Sequence, residues 1–184
     1  MEEQYTIYIL LTYSVSVLSR VINKKTREPY SHVSIAFDEG LKELYSFGRL
    51  HPRNPIYAGF VKEDIENGTY ARFPKTTCAI YTLEINKKQY KKLMRELTKF
   101  RLSDKRYRYN FIGLVGAAIN YPIEREYKYF CSQFVTSLLN SSGIKLIDKK
   151  AGLTAPRDFR ECNELSLVYE GNLQSYNLSK SYSY

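Results

Sequence analysis

The chain has 184 residues, of which 43% are apolar and 26% charged. That length buries a core without disulfide or metal staples, and the composition excludes a disordered, collagen-like or low-complexity chain. The net charge is +9, from 28 Lys and Arg against 19 Asp and Glu, so a polyanionic partner enters as a candidate from the start.

No run of about 18 or more apolar residues occurs, so no spanning helix is expected. Cys78, Cys131 and Cys162 are odd in number and widely spaced, which argues against a disulfide framework. With only His32 and His51, and no CxxC pair, neither a metal site nor a cofactor is implied. Free thiols fit a reducing compartment, and the chain is expected to be cytoplasmic. Its first apolar run, Tyr5 to Leu18, follows Glu2 and Glu3 and lacks a small-residue cleavage site. It therefore reads as a strand running into a helix rather than as a signal peptide.

In chain order, YTIYILLT at 5–12 is a buried strand and VSVLSRVINKK at 15–25 a helix closed by Pro29. SHVSIAF at 31–37 alternates as a strand, with Val33, Ile35 and Phe37 on one face and His32, Ser34 and Ala36 on the other. Asp38-Glu39-Gly40 turns the chain into ELYSFG, its hairpin partner. LHPRNPIYAGF, with two prolines and a glycine, is expected to be an ordered loop. TCAIYTLEI at 77–85 is another strand.

Asn86 with Gln89 reads as a capping box. The helix behind it carries Tyr90, Leu93, Met94, Leu97 and Phe100 on one stripe and a dense set of cations elsewhere. The basic helix 87–101 could meet a polyanion or a membrane surface, or be a solvated face; no nucleic-acid signature accompanies it. Further helices are expected from Asn110 to Ala118 and from about Phe130 to Asn140, the latter stopped by Gly143. SLVYEG reads as a last strand. No repeat or composition shift divides the chain, so one domain is expected over 1–170, with a polar tail at 171–184.

Cys131 has the most suggestive setting. A thiol at the start of a helix meets unpaired N–H groups and the positive end of the dipole, which favour the thiolate. The same amides can receive an oxyanion. The alternative is a small apolar residue on the stripe of Phe134, Val135 and Leu138. His32, opening a strand, is the natural base, unless it is an ordinary strand-end histidine.

His32-Val33-Ser34-Ile35 and, much later, Cys131-Ser132-Gln133-Phe134-Val135 together resemble the circularly permuted papain-like hydrolases, specifically the YiiX-like group related to NlpC-type peptidases. In that group the histidine strand precedes the cysteine helix, as it does here. The resemblance implies an α+β fold in which an antiparallel sheet carrying His32 packs against the Cys131 helix. It implies a cysteine hydrolase acting on an amide, in a peptide or peptidoglycan-type fragment, through an acyl-enzyme. Permuted relatives resembling lecithin:retinol acyltransferase act on lipid esters instead, so a lipid acyl hydrolase or acyltransferase is the alternative. A non-enzymatic polyanion-binding module is the third reading.

The family's orienting residue sits on the strand after the histidine strand. Hairpin counting places Ser46 there, with Glu43 the stronger group but on the opposite face. Arg49, Arg53 and Asn54 are candidates to overhang the cleft and bind substrate, the arginines as carboxylate grips. Tyr13 is a candidate cleft wall.

Overall fold

A computed structural model describes residues 3–14, 28–51, 54–105 and 107–176. The architecture is α+β. One eight-stranded sheet runs in the order β7-β6-β4-β3-β2-β1-β5-β8. Its strands are β1 (Gln4–Tyr13), β2 (His32–Ala36), β3 (Leu44–His51), β4 (Asn54–Glu63), β5 (Thr77–Asn86), β6 (Arg108–Tyr109), β7 (Lys128–Tyr129) and β8 (Ser166–Asn172). Every pairing is antiparallel except β6 with β7. The helices are α1 (Gly68–Arg72), α2 (Lys87–Arg101), α3 (Phe111–Ala118), α4 (Cys131–Ser141) and α5 (Pro156–Arg160). The helix expected at 15–25 lies outside the described residues.

β1 is central and buried on both faces, which is why its sequence reads as a continuous apolar run. Ile7, Ile9 and Leu11 enter one core cluster and Leu10 the other. The first cluster lies between the sheet and the helices α2 and α4, with Leu93, Leu97, Phe134, Val135 and Leu138 fully buried in it. Val33 and Ile35 join it, with Phe37 packed against it. The second cluster, on the opposite face, holds Ala36, Leu41, Leu44, Ile65 and Tyr70.

α2 begins as its sequence dictates: Asn86 Oδ1 accepts from the Gln89 N–H and Gln89 Oε1 from the Asn86 N–H, closing the capping box. α4 ends at Gly143, whose φ of +81° suits glycine, and the Ile144 N–H donates back to the Leu139 carbonyl.

Two expectations change. The stretch 50–60 is not a loop: β3 runs to His51 and β4 starts at Asn54, so these residues form a long hairpin. The polar tail also starts later than 171. β8 extends to Asn172, and Leu173 and Tyr176 are buried in the second cluster. Apolar side chains spaced within a polar sequence dock there. Residues 177–184 lie outside the described residues.

Candidate active site

Phe130, in extended conformation, leads directly into α4, so Cys131 is the first residue of the helix. α4 is the most enclosed helix, lying between β2 and the 151–154 segment, where the Ser132 hydroxyl donates to the Thr154 carbonyl at 2.5 Å. Cys131 is only 3% exposed. Burial pushes its thiol up, but a hydrogen bond and charge from His32, with the Val33 and Ser132 N–H groups, outweigh that and hold it below the ordinary thiol value. The structure therefore brings Cys131 and His32 together.

Burial pushes the His32 imidazole down, and the Glu63 carboxylate and the Cys131 sulfur push it up more strongly, to about 10. His32 Nε2 lies 2.9 Å from Glu63 Oε1. That leaves Nδ1 for the thiol, the arrangement of an imidazole fixed between a nucleophile and a carboxylate. Ser34, two residues along β2 on the same face, donates to Glu63 Oε2 at 2.5 Å, and the Tyr70 hydroxyl donates to it at 3.2 Å. Burial pushes the Glu63 carboxyl up, yet the His32 charge and these hydrogen bonds hold it below its ordinary value.

The side chain that meets the imidazole is thus Glu63 on β4, which the sequence reading missed. Neither residue named from sequence contacts His32. Ser46 is fully buried beside the Glu63 carboxylate and favours its charge, but has no well-aligned hydrogen bond. Glu43 bonds to Lys62 and to the Tyr45 hydroxyl instead. The reason is geometric: β2 and β3 pair only at Ile35–Tyr45 and Ala36–Leu44, so the hairpin does not extend to His32. The Glu63 side chain crosses β3 where its residues are small. A Cβ on Gly48 would stand 3.2 Å from Glu63 Oε1.

A small cleft of about 90 Å³ opens beside the imidazole, lined by Thr12, His32, Arg49, Glu63, Tyr70, Tyr109 and Phe111 among others. Cys131 lies beneath it rather than on its wall. Arg49 faces the cleft as expected, half-buried, with its guanidinium over the Phe73 ring at 5.6 Å. Burial and the neighbouring Arg72 lower its pKa. Tyr13 is not a wall: strand alternation turns Thr12 to the cleft and Tyr13 to the core on the helix side. Asn54 is not on the cleft wall either; its Oδ1 accepts from the Tyr57 N–H at the start of β4. Arg53 lies outside the described residues.

Tyr109, at the end of β6, is a second residue the sequence did not single out. Its hydroxyl lies against both the Cys131 side chain and the Cys131 N–H. Burial, then the charge at Cys131, pushes its phenol well above the ordinary value, so it remains a hydrogen-bond donor. The Cys131 N–H donates to the Tyr109 hydroxyl oxygen, and that hydroxyl in turn faces the sulfur.

Among the described residues no group of three or more His, Cys, Asp or Glu is set to hold a metal ion. No helix among them is long and apolar enough to cross a membrane. No family model matches this chain, and neither does any curated protein or solved structure.

Proposed function

We propose that the chain is a cysteine hydrolase that cleaves an amide, in a peptide or peptidoglycan-type fragment, through Cys131, His32 and Glu63. The observation that carries this reading is a run of three: a buried, depressed thiol at a helix start, a half-buried imidazole beside it, and a carboxylate at 2.9 Å from that imidazole. A core cysteine would need neither partner, and a partly buried Glu–His pair set against a thiol is an arrangement that functional sites favour. The resemblance to the permuted papain-like group supports the same assignment, and three free thiols support a cytoplasmic setting.

In this mechanism the Cys131 thiolate attacks the carbonyl carbon, and the electron pair of the C=O bond moves to oxygen. The Tyr109 hydroxyl donates to that oxyanion, and the Cys131 N–H, which donates to the Tyr109 oxygen, strengthens it as a donor. His32 as imidazolium gives its proton to the leaving amine, and the C–N bond breaks to leave an acyl-thioester. A water then loses a proton to His32 as it attacks the thioester. The carboxylic acid leaves and the thiolate–imidazolium pair is restored. Glu63 holds the imidazole in place and favours its charged form without taking the proton.

A lipid acyl hydrolase or acyltransferase with the same three residues is the second reading. It is favoured by one observation, the exposed apolar residues of α3 beginning at Phe111 on the cleft wall. The basic helix α2 keeps a polyanion-binding module as a third reading, but nothing in it accounts for the Cys131 surroundings.

The test is acyl-enzyme trapping. Incubation with an activated acyl ester, followed by intact-protein and peptide mass spectrometry, is expected to place the acyl group on Cys131. The adduct should be lost in Cys131→Ser and strongly reduced in His32→Ala. Folded wild-type protein that gives no adduct at Cys131 overturns the hydrolase reading.

A further inference from the structure

α3 is built the wrong way round for a helix facing water. Among the described side-chain positions of the helix, the buried ones are Gly113 and Gly116. A Cβ on Gly113 would stand 2.9 Å from the Ile123 carbonyl oxygen, and one on Gly116 2.5 Å from that of Tyr121. The glycines therefore let the helix backbone lie directly on the 121–123 segment. Apart from the half-buried Leu114, the bulky residues point outward: Phe111, Ile112, Val115 and Ile119 are 38%, 52%, 64% and 68% exposed. Ile112, Val115 and Ile119 share one stripe by their i, i+3, i+7 spacing. A helix stabilised only by packing on its own protein would bury the large residues and expose the small ones. Single exposed apolar residues are ordinary, whereas a continuous patch marks a surface that something covers.

The charges around this stripe say what covers it. The sequence from Lys105 to Ile123 contains no Asp or Glu. A groove beside α3 is lined by Leu50, Tyr57 and Phe111 together with Lys105, Arg108 and Lys128. Arg108 and Lys128 are in register across β6 and β7. Lys105 bonds to the Tyr127 hydroxyl over that ring. The acids nearest in sequence, Asp104, Glu124 and Glu126, flank the patch and lie outside the groove lining. The exposed stripe itself carries no side-chain hydrogen-bonding group, so it is suited to disordered hydrocarbon rather than to a keyed protein surface.

We propose that the α3 stripe and the Lys105–Arg108–Lys128 edge form a docking surface for an anionic phospholipid bilayer. The stripe enters the boundary between headgroups and acyl chains, and the cations meet the lipid phosphates. Phe111, which opens α3, lines both the basic groove and the cleft, so docking turns the cleft mouth toward the bilayer. The surface stands independently of the hydrolase reading. Joined to it, the cleft draws its acyl substrate from the membrane.

The test is sedimentation of the full chain with vesicles of phosphatidylcholine alone or mixed with phosphatidylglycerol. Wild type and Cys131→Ala are both expected to bind the mixed vesicles, which separates docking from catalysis. Ile112→Ser/Val115→Ser/Ile119→Ser is expected to bind at least about tenfold more weakly, with its circular dichroism and melting temperature preserved. Lys88→Glu/Lys92→Glu on α2 should bind within about twofold of wild type. As a second readout, a Val115→Cys variant in a Cys131→Ala/Cys162→Ser background carries an environment-sensitive dye, whose emission should shift to the blue on adding mixed vesicles. Absence of wild-type binding, undiminished binding by the triple serine variant, or loss confined to the α2 variant overturns the proposal. So does a concentration-dependent dimer that the triple serine variant abolishes, because a second copy would then cover the stripe.

Discussion

Glu63 and His32 come from strands separated by β3, yet Glu63 Oε1 lies 2.9 Å from His32 Nε2. The carboxylate is the strongest of the influences raising the imidazole pKa. Replacing it with an amide keeps a hydrogen-bonding group but removes the charge. Glu63→Gln is therefore expected to lower kcat/KM by about 10²-fold or more, within the range for losing acid–base support. It should also slow iodoacetamide alkylation of Cys131 at pH 6, because a less basic imidazole stabilises the thiolate less. Ser46→Ala and Glu43→Gln should leave that alkylation within about twofold of wild type, as neither alters the charge at His32. A larger effect from Ser46→Ala than from Glu63→Gln would return the orienting role to β3.

The three thiols should separate by pH. Burial pushes Cys78 up to about 12, and burial with Glu164 raises Cys162. Cys131 alone is lowered, against its burial, by His32 and two N–H groups. Its thiolate therefore appears below the ordinary thiol range and persists as pH rises. The imidazolium that stabilises the thiolate and supplies the leaving-group proton is lost as pH rises through about 10. The kcat/KM profile is expected to rise at the Cys131 value and fall near the His32 value. At pH 6 Cys131 should alkylate at least about tenfold faster than Cys162, since each unit of pKa changes the thiolate fraction tenfold. In His32→Ala the rise should move to higher pH, with burial no longer opposed by the imidazole. Peptide mass spectrometry across a pH series reads all three sites at once, and an unshifted profile in His32→Ala would sink the pairing.

What the sequence made legible was local. Helix starts, alternation and capping are written within a few residues, so β2, α2 and α4 and the Cys131 and His32 positions could be read directly. The Asn86–Gln89 box is such a case. Glu63 was not legible, because its role depends on β3 being narrow at Ser46 and Gly48 and on β2 and β3 parting before His32. A carboxylate closing the apolar run AGFVKE was the only available trace. Tyr13 was misread for want of the strand's phase: one step of alternation exchanges it with Thr12. For α3 the sequence FIGLVGAA marks a helix, but composition does not say that the glycines take the inner face.

Gly48 tests the space through which Glu63 reaches. Its backbone needs no glycine-specific conformation, so alanine introduces bulk without backbone strain. The added Cβ would stand 3.2 Å from Glu63 Oε1 and 3.3 Å from Ser46 Oγ, tight enough to displace the carboxylate by a few tenths of an ångström. Gly48→Ala is expected to slow Cys131 alkylation at pH 6 in the direction of Glu63→Gln but by less, about threefold to tenfold. Folding stability should change by under about 1 kcal/mol, because glycine-to-alanine effects on the unfolded chain offset the crowding. Guanidinium unfolding measured beside the alkylation rate separates a displaced carboxylate from a loosened fold. A stability loss of several kcal/mol with normal Cys131 reactivity would mean that Glu63 reaches His32 by another path.

Arg49 gives a prediction that needs no known substrate. Its guanidinium lines the cleft beside His32, and Arg72 is the nearby charge that lowers its pKa after burial. A cation placed there favours an anionic group entering the cleft. Iodoacetate and iodoacetamide share one chemistry and nearly one size but differ by a charge, so their rate ratio at Cys131 measures the field of the cleft. Wild type is expected to favour iodoacetate relative to a small free thiol, and Arg49→Met to lower that ratio by about tenfold, the weight of one charged hydrogen bond. The iodoacetamide rate itself should stay within about twofold, because Arg49 is not among the groups that set the Cys131 thiol. An unchanged ratio would exclude Arg49 from anion recognition and leave its stacking on Phe73 as its role in the cleft.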